Sequence, residues 1–305
     1  MGVNLSPSCL VSRYVAIMAP SEYAFFEYRK DQHERNNMHR MNKVKVLIIR
    51  ALSLLPVIVF AGCVTTTDAP YGKKEDSAKA LTAYIQLGLA YIERDNMERA
   101  RKHLKRALEI DPKSAGAHAA LGLVYQNEGE DDLAEQEFLN SLRYDPSFTR
   151  GRTYYAAFLY SKGRYQEAYD SFQAASLDTG FASRSQIFTN MALCARKLNK
   201  RELMLKAYEK SLVLNSMQPN ILLTLVKESI QDGQFGKAQG YYNRFIKLVG
   251  KSAGVTHSPR SLYLGIQLAD HYQNLQLKSG YSDLLRVLYP DSQEYKQYRK
   301  STSND

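Results

Sequence analysis

The sequence predicts an all-α chain, a right-handed superhelical solenoid of about six helix-turn-helix repeats. Three observations predict it. Residues 81–114 and 115–148 align as two copies of one 34-residue unit when their glycine, alanine and proline landmarks are superimposed. The landmarks return with falling fidelity as far as residue 291. Small residues recur at the eighth and twentieth positions of the first two copies, where two antiparallel helices must touch backbone to backbone.

In the first copy Tyr84, Leu87, Gly88, Tyr91, Ala100, Leu104, Ala107 and Pro112 fall on the large, small and proline positions of the tetratricopeptide (TPR) pattern. The second copy places His118, Leu121, Gly122, Tyr125, Ala134, Phe138, Ser141 and Pro146 there. Proline ends each second helix because it has no N–H to continue it. A third unit, 149–182, keeps Ala156, Gly163, Ala168, Phe172 and Ala175. After a two-residue slip the fourth, 185–218, carries Phe188, Met191, Ala192, Ala195, Tyr208 and Ser211. The fifth, 219–252, has Leu222, Leu225, Gly233, Ala238 and Tyr242. The sixth, 259–291, is degenerate: Leu262, Ala269 and Pro290 fit, but Lys278 replaces the small residue of the second helix. A terminal repeat meets water on one face, so an atypical end is expected.

The chain of 305 residues has a formal charge of +10. Residues 1–62 hold eight basic and four acidic side chains, leaving 33 against 27 in the remainder. There the two signs are interspersed, as in Glu98, Arg99, Arg101, Lys102, Lys105, Arg106 and Glu109, which suits a solvated helix face better than a phosphate-binding stripe. No nucleic-acid partner is expected.

A short apolar run, Ala51-Leu52-Ser53-Leu54-Leu55-Pro56-Val57-Ile58-Val59-Phe60-Ala61-Gly62, ends at Cys63. It is too short to cross a bilayer, which takes about 20 apolar residues. Preceded by Lys43, Lys45 and Arg50, it has the basic and apolar regions of a secretory signal. Ala61-Gly62-Cys63 resembles the lipobox of bacterial lipoproteins, with Phe60 where leucine is usual. That resemblance implies cleavage between Gly62 and Cys63 and acylation of Cys63. Residues 41–62 then form the signal peptide, started at Met41 or Met38, and residues 1–40 reflect a start codon placed too early. Acyl chains contribute about 0.8 kcal/mol per buried CH₂, and two or three of them anchor stably. Val64, in place of the aspartate that retains such lipoproteins at the inner membrane, implies the periplasmic face of the outer membrane. Residues 63–80 read as a polar, flexible linker, 81–291 as the six repeats and 292–305 as a C-terminal tail.

Little else carries chemistry. With Cys63 acylated, Cys194 is the sole thiol of the mature chain and reads as a small buried apolar residue of the fourth repeat. The six histidines are isolated. Gly250-Lys251-Ser252 lacks the earlier glycine of a phosphate-binding loop, since Phe245 stands there, and follows a helix instead of a strand. No cofactor, metal site or catalytic residue is expected, and the chain does not read as an enzyme.

Function is therefore sought on the concave surface, which in TPR folds is lined by the first helix of each repeat. The candidate partner groove comprises Ile85, Leu89, Ile92, Ala119, Leu123, Ala157 and Tyr160. Apolar side chains separated by small ones suit the apolar face of a partner helix.

The order of lipobox, polar linker and six repeats resembles the type IV pilus biogenesis/stability lipoproteins, the PilF/PilW pilotin family. The resemblance rests on Ala83-Tyr84-Ile85-Gln86-Leu87-Gly88-Leu89, Ala107-Leu108-Glu109-Ile110-Asp111-Pro112 and Arg164-Tyr165-Gln166-Glu167-Ala168-Tyr169. It rests further on the non-generic sixth unit, Arg260-Ser261-Leu262-Tyr263-Leu264-Gly265 and Leu288-Tyr289-Pro290-Asp291. It implies a monomeric outer-membrane pilotin that binds the secretin of the type IV pilus and promotes its localisation and multimerisation. A TPR scaffold lipoprotein of another envelope assembly machine is the alternative.

Overall fold

The computed structural model describes residues 70–302 except 253, with side chains from residue 75 onward. Among the described residues there are thirteen α-helices and no strand. Twelve of them pair as the repeats predict: α1 (Pro70–Glu93) with α2 (Met97–Ile110), α3 (Ala115–Glu128) with α4 (Asp131–Tyr144), and α5 (Thr149–Ser161) with α6 (Tyr165–Ala175). The second half pairs α7 (Arg184–Lys197) with α8 (Arg201–Leu214), α9 (Pro219–Gln231) with α10 (Phe235–Lys251), and α11 (Pro259–His271) with α12 (Leu275–Leu288). A last helix, α13 (Gln293–Thr302), follows.

The repeat period is written into the backbone. Each hairpin turns on one left-handed residue at the fifteenth position of its unit: Asp95 (φ 56°), Gly129 (81°), Gly163 (76°), Asn199 (57°), Gly233 (68°) and Gln273 (54°). A left-handed residue after the first helix frees the chain to reverse, and glycine adopts it without steric cost. The degenerate sixth repeat keeps the turn although it has lost the glycine.

Helix starts follow local chemistry. Asn96 accepts from the Arg99 N–H at 3.1 Å and Asn274 from that of Leu277 at 3.0 Å. Ser258 and Ser261 form a reciprocal capping box at the head of α11. Pro219 and Pro259 open α9 and α11, where the missing N–H costs nothing.

The chain forms two compact units that divide after Tyr144. In the first, Ile92, Ala100, Leu104, Ala120, Leu121 and Val124 form the core. The two glycines of the pattern bring the helices together: a Cβ on Gly88 would stand 2.6 Å from Leu104, and one on Gly122 2.6 Å from the Phe138 ring. In the second unit one cluster runs from Ala156 on α5 to Leu268 on α11. A smaller one joins Leu262, Ile266 and Leu285 to Tyr263, Tyr281, Tyr289, Tyr295 and Tyr298.

Two expected boundaries change. The segment 70–80, read as part of a flexible linker, is the first three turns of α1; Pro70 sits at the helix start and Lys79 pairs with Glu75 one turn away at 2.8 Å. Residues 293–302, read as tail, form α13 because Tyr295 and Tyr298 cover apolar surface of the sixth repeat. Lys278 fits a position meant for a small residue by reaching out of the hairpin to Asp270, with Nζ to carboxylate 2.5 Å. The signal segment, Cys63 and residues 1–40 lie outside the described residues.

Candidate functional site

The predicted groove residues fall in both compact units, and each set is described within its own. In the first unit α1 supplies Ile85, Leu89 and Ile92, and α3 supplies Ala119 and Leu123. Ile85 is half-buried, and Leu89 and Leu123 are half-buried against the core cluster, presenting part of each side chain to solvent. Ile92 and Ala119, expected in the groove, are corrected: they are 7% and 1% exposed. Ile92 packs into the core with Leu121 and Val124, since the last turn of α1 faces α3 where the repeats stack. Ala119 lies in a run, Ala117 to Gly122, that is buried at every position because α3 is enclosed by both α1–α2 and α4. The accessible apolar strip of this unit is therefore Ile85, Leu89 and Leu123.

The same unit holds several polar contacts. Arg101 of α2 pairs with Glu128 at the end of α3, its guanidinium 5.7 Å from the Tyr125 ring centroid. Asn127 folds back on its own helix, donating to the Leu123 carbonyl at 2.8 Å. Tyr91 stacks on His103 with ring centroids 5.3 Å apart, and Arg99 lies 5.7 Å over the same tyrosine.

In the second unit Ala157 and Tyr160 of α5 are half-buried against the large core cluster, and Tyr160 meets Tyr165 edge-on at 5.2 Å. Arg196 and Lys197 are exposed in the last turn of α7, where cations favour the helix dipole. Lys197 lies 5.8 Å over the Tyr165 ring. Cys194 is fully buried, and burial pushes its thiol up to about 12, so it stays protonated and inert. Among the described residues no group of three His, Cys, Asp or Glu side chains could hold a metal ion. No described helix is long and apolar enough to cross a membrane.

Two repeat-family patterns match the chain, a TPR repeat at residues 88–129 and a tetratricopeptide repeat at 115–148. The type IV pilus assembly protein PilF of Pseudomonas aeruginosa is 38% identical over 250 residues, spanning 82% of this chain and 97% of that protein. The chain belongs to the PilF family. The solved structure of Pseudomonas aeruginosa PilF superimposes with a TM-score of 0.62, covering 74% of this chain and 99% of that one. PilW, a widely conserved type IV pilus biogenesis factor, shares the fold at 23% identity with a TM-score of 0.53 over 72% of this chain and 97% of its own. An uncharacterised Haemophilus influenzae protein is 24% identical over 152 residues, covering 50% of this chain and 83% of its own length. The likeness to PilF, over 250 residues, extends well beyond residues 88–148 that the repeat patterns detect.

Proposed function

We propose that the protein is a pilotin of type IV pilus biogenesis: an outer-membrane lipoprotein that binds the secretin, delivers it to the outer membrane and promotes its multimerisation. The observation that carries this reading is the 38% identity to a type IV pilus assembly protein, over nearly the whole of that protein. The lipobox ending at Cys63 supports a lipid anchor, and the repeat architecture supports action by binding and not by catalysis. In this reading Ile85, Leu89 and Leu123 receive an apolar helical segment of the secretin.

The test is to replace Leu89 and Leu123 by glutamate together and measure secretin multimers and surface pili. Charges buried unpaired against an apolar ligand are costly, so both should fall at least tenfold. Because both leucines also touch the core, circular dichroism and fractionation must show a folded protein in its normal place. Co-purification of the secretin from detergent-solubilised membranes should be lost in parallel. A folded double variant that still assembles secretin rings would eliminate the groove, and failure of the unaltered protein to retain secretin would eliminate the pilotin reading.

A further inference from the structure

Three basic residues of the second unit stand at first-helix positions that line the concave surface of a TPR fold. They are Arg196, the twelfth residue of the fourth repeat, Lys227, the ninth of the fifth, and Arg260, the second of the sixth. The same positions counted from one repeat earlier hold Tyr160, Leu193 and Asn220, so the charge is not a demand of the repeat. Among the described residues Arg196 and Lys227 have neither an ion pair nor a hydrogen bond. Arg260 has only the Thr224 hydroxyl, to which its Nη2 donates at 3.2 Å. Lys227 lies one turn beyond Thr224 on the same side of α9. The two carboxylates of α7, α9 and α11 are already taken: Glu228 pairs with Arg201 of α8 at 2.7 Å, and Asp270 with Lys278 of α12.

Tyr208 of α8 ties the cations together. Its side chain is 4% exposed and packed in the core of the unit, yet its hydroxyl has no hydrogen-bond partner among the described residues. Burial raises its pKa, and the charges of Arg196 and Arg260 pull the other way, so both guanidinium groups stand near that hydroxyl although their helices belong to the fourth and sixth repeats. Glu228 is the one carboxylate that bears on it, and Arg201 holds that carboxylate. A nearly enclosed hydroxyl left without a partner costs stability, and like charges gathered around it repel. Arg260 adds a third cost, as a half-buried cation in the first turn of α11, where the helix dipole is positive. Local rules broken together in this way are the mark of a binding site.

We propose that this cluster is a docking site for an acidic segment of a partner protein, with one aspartate or glutamate carboxylate at the Tyr208 hydroxyl between Arg196 and Arg260 and a second at Lys227. Tyrosine donates its O–H to the first carboxylate, and a guanidinium can hold it with two parallel N–H bonds. The occupant is acidic because an anion relieves the repulsion among the three cations. It is a short segment because three cations are too few for a nucleic acid, whose binding neutralises many phosphates. Ile85, Leu89 and Leu123 belong to the other compact unit, so this site is separate from the apolar strip and does not rest on the pilotin reading.

The experiment selects random peptides displayed on phage against the full-length protein in detergent. Depletion on the Arg196→Gln, Arg260→Gln double variant first removes peptides that bind elsewhere. The survivors should be enriched in aspartate and glutamate, and their affinities are then measured by fluorescence anisotropy. The double variant should bind them about tenfold or more weakly, as loss of charge-assisted hydrogen bonds implies. Arg244→Gln with Lys247→Gln on α10 removes the same charge elsewhere and should change binding by less than about twofold, since separated surface charges are screened. Tyr208→Phe should weaken binding about threefold without lowering the urea midpoint, because its hydroxyl bonds to nothing in the fold. Survivors without acidic enrichment, an equal loss in the two double variants, or Tyr208→Phe binding as wild type would each overturn the proposal. So would tighter binding of a single-stranded DNA oligomer or of phosphatidylglycerol vesicles than of any selected peptide, which would assign the cations to a phosphate-bearing partner.

Discussion

His118 on α3 and Glu137 on α4 meet at 2.5 Å between Nδ1 and Oε2, while the other ring nitrogen of His118 lies 3.0 Å from the Pro112 carbonyl. Both nitrogens thus face acceptors, and only the imidazolium can donate to both. Burial opposes the charge, as does Arg143 nearby, but the bonds to Glu137 and Pro112 and the carboxylate charge prevail and raise the His118 pKa above 6.5. A raised pKa contributes stability that is complete below 6.5 and is lost as pH climbs through the folded value. The full chain should therefore lose stability as pH rises through the raised His118 value. His118→Gln should flatten that slope between pH 6 and 9; an equal slope in wild type and variant refutes the assignment.

Gln273 occupies the left-handed turn position that glycine holds in three of the six repeats. A left-handed conformation costs a residue with a Cβ about 1–2 kcal/mol, part of which glycine returns as unfolded-chain entropy. Gln273→Gly should stabilise by about 0.5–1 kcal/mol, and Gly129→Ala should destabilise by about 1 kcal/mol. Urea titration of the two variants reads both signs.

Cys194 should resist alkylation in the folded protein. Its thiol is pushed up to about 12, so at pH 8 the reactive thiolate is scarce as well as enclosed. Brief iodoacetamide treatment followed by peptide mass analysis should leave Cys194 unmodified natively and label it fully in denaturant. Native labelling would mean that the core around α7 opens readily.

Cys63→Ser removes the acyl acceptor that the lipobox implies. The variant should lose its lipid mass, remain uncleaved and leave the outer-membrane fraction. Retention of both mass and location would exclude the lipoprotein reading, and peptides from residues 3–35 in the unprocessed precursor would show that residues 1–40 are translated.

Much of the fold was readable because the repeat imposes the same local demands six times. Gly88 and Gly122 announce themselves, since any side chain there would strike Leu104 or Phe138. The hairpin of the sixth repeat follows from Leu262, Ala269 and Pro290. The groove was less legible. Generic TPR positions put Ile92 and Ala119 on the surface, but which residues near the end of α1 and along α3 are enclosed depends on how neighbouring hairpins press on them. The helices at 70–80 and 293–302 escaped notice because neither repeats, and α13 is held by tyrosines whose partners lie some thirty residues earlier.

Gly265 stands so close to Tyr242 of α10 that a methyl group there would collide with its hydroxyl, which donates to the Ser261 carbonyl at 3.1 Å. The fifth and sixth hairpins are thereby cut as lock and key, unlike the interchangeable joints of a consensus array. Exchanging either hairpin alone for one with a side chain in place of Gly265 should drive that side chain into Tyr242, so the two are expected to work only as a pair. Chimeras between relatives should accordingly fold when the crossover lies before residue 219 and fail when it separates Tyr242 from Gly265.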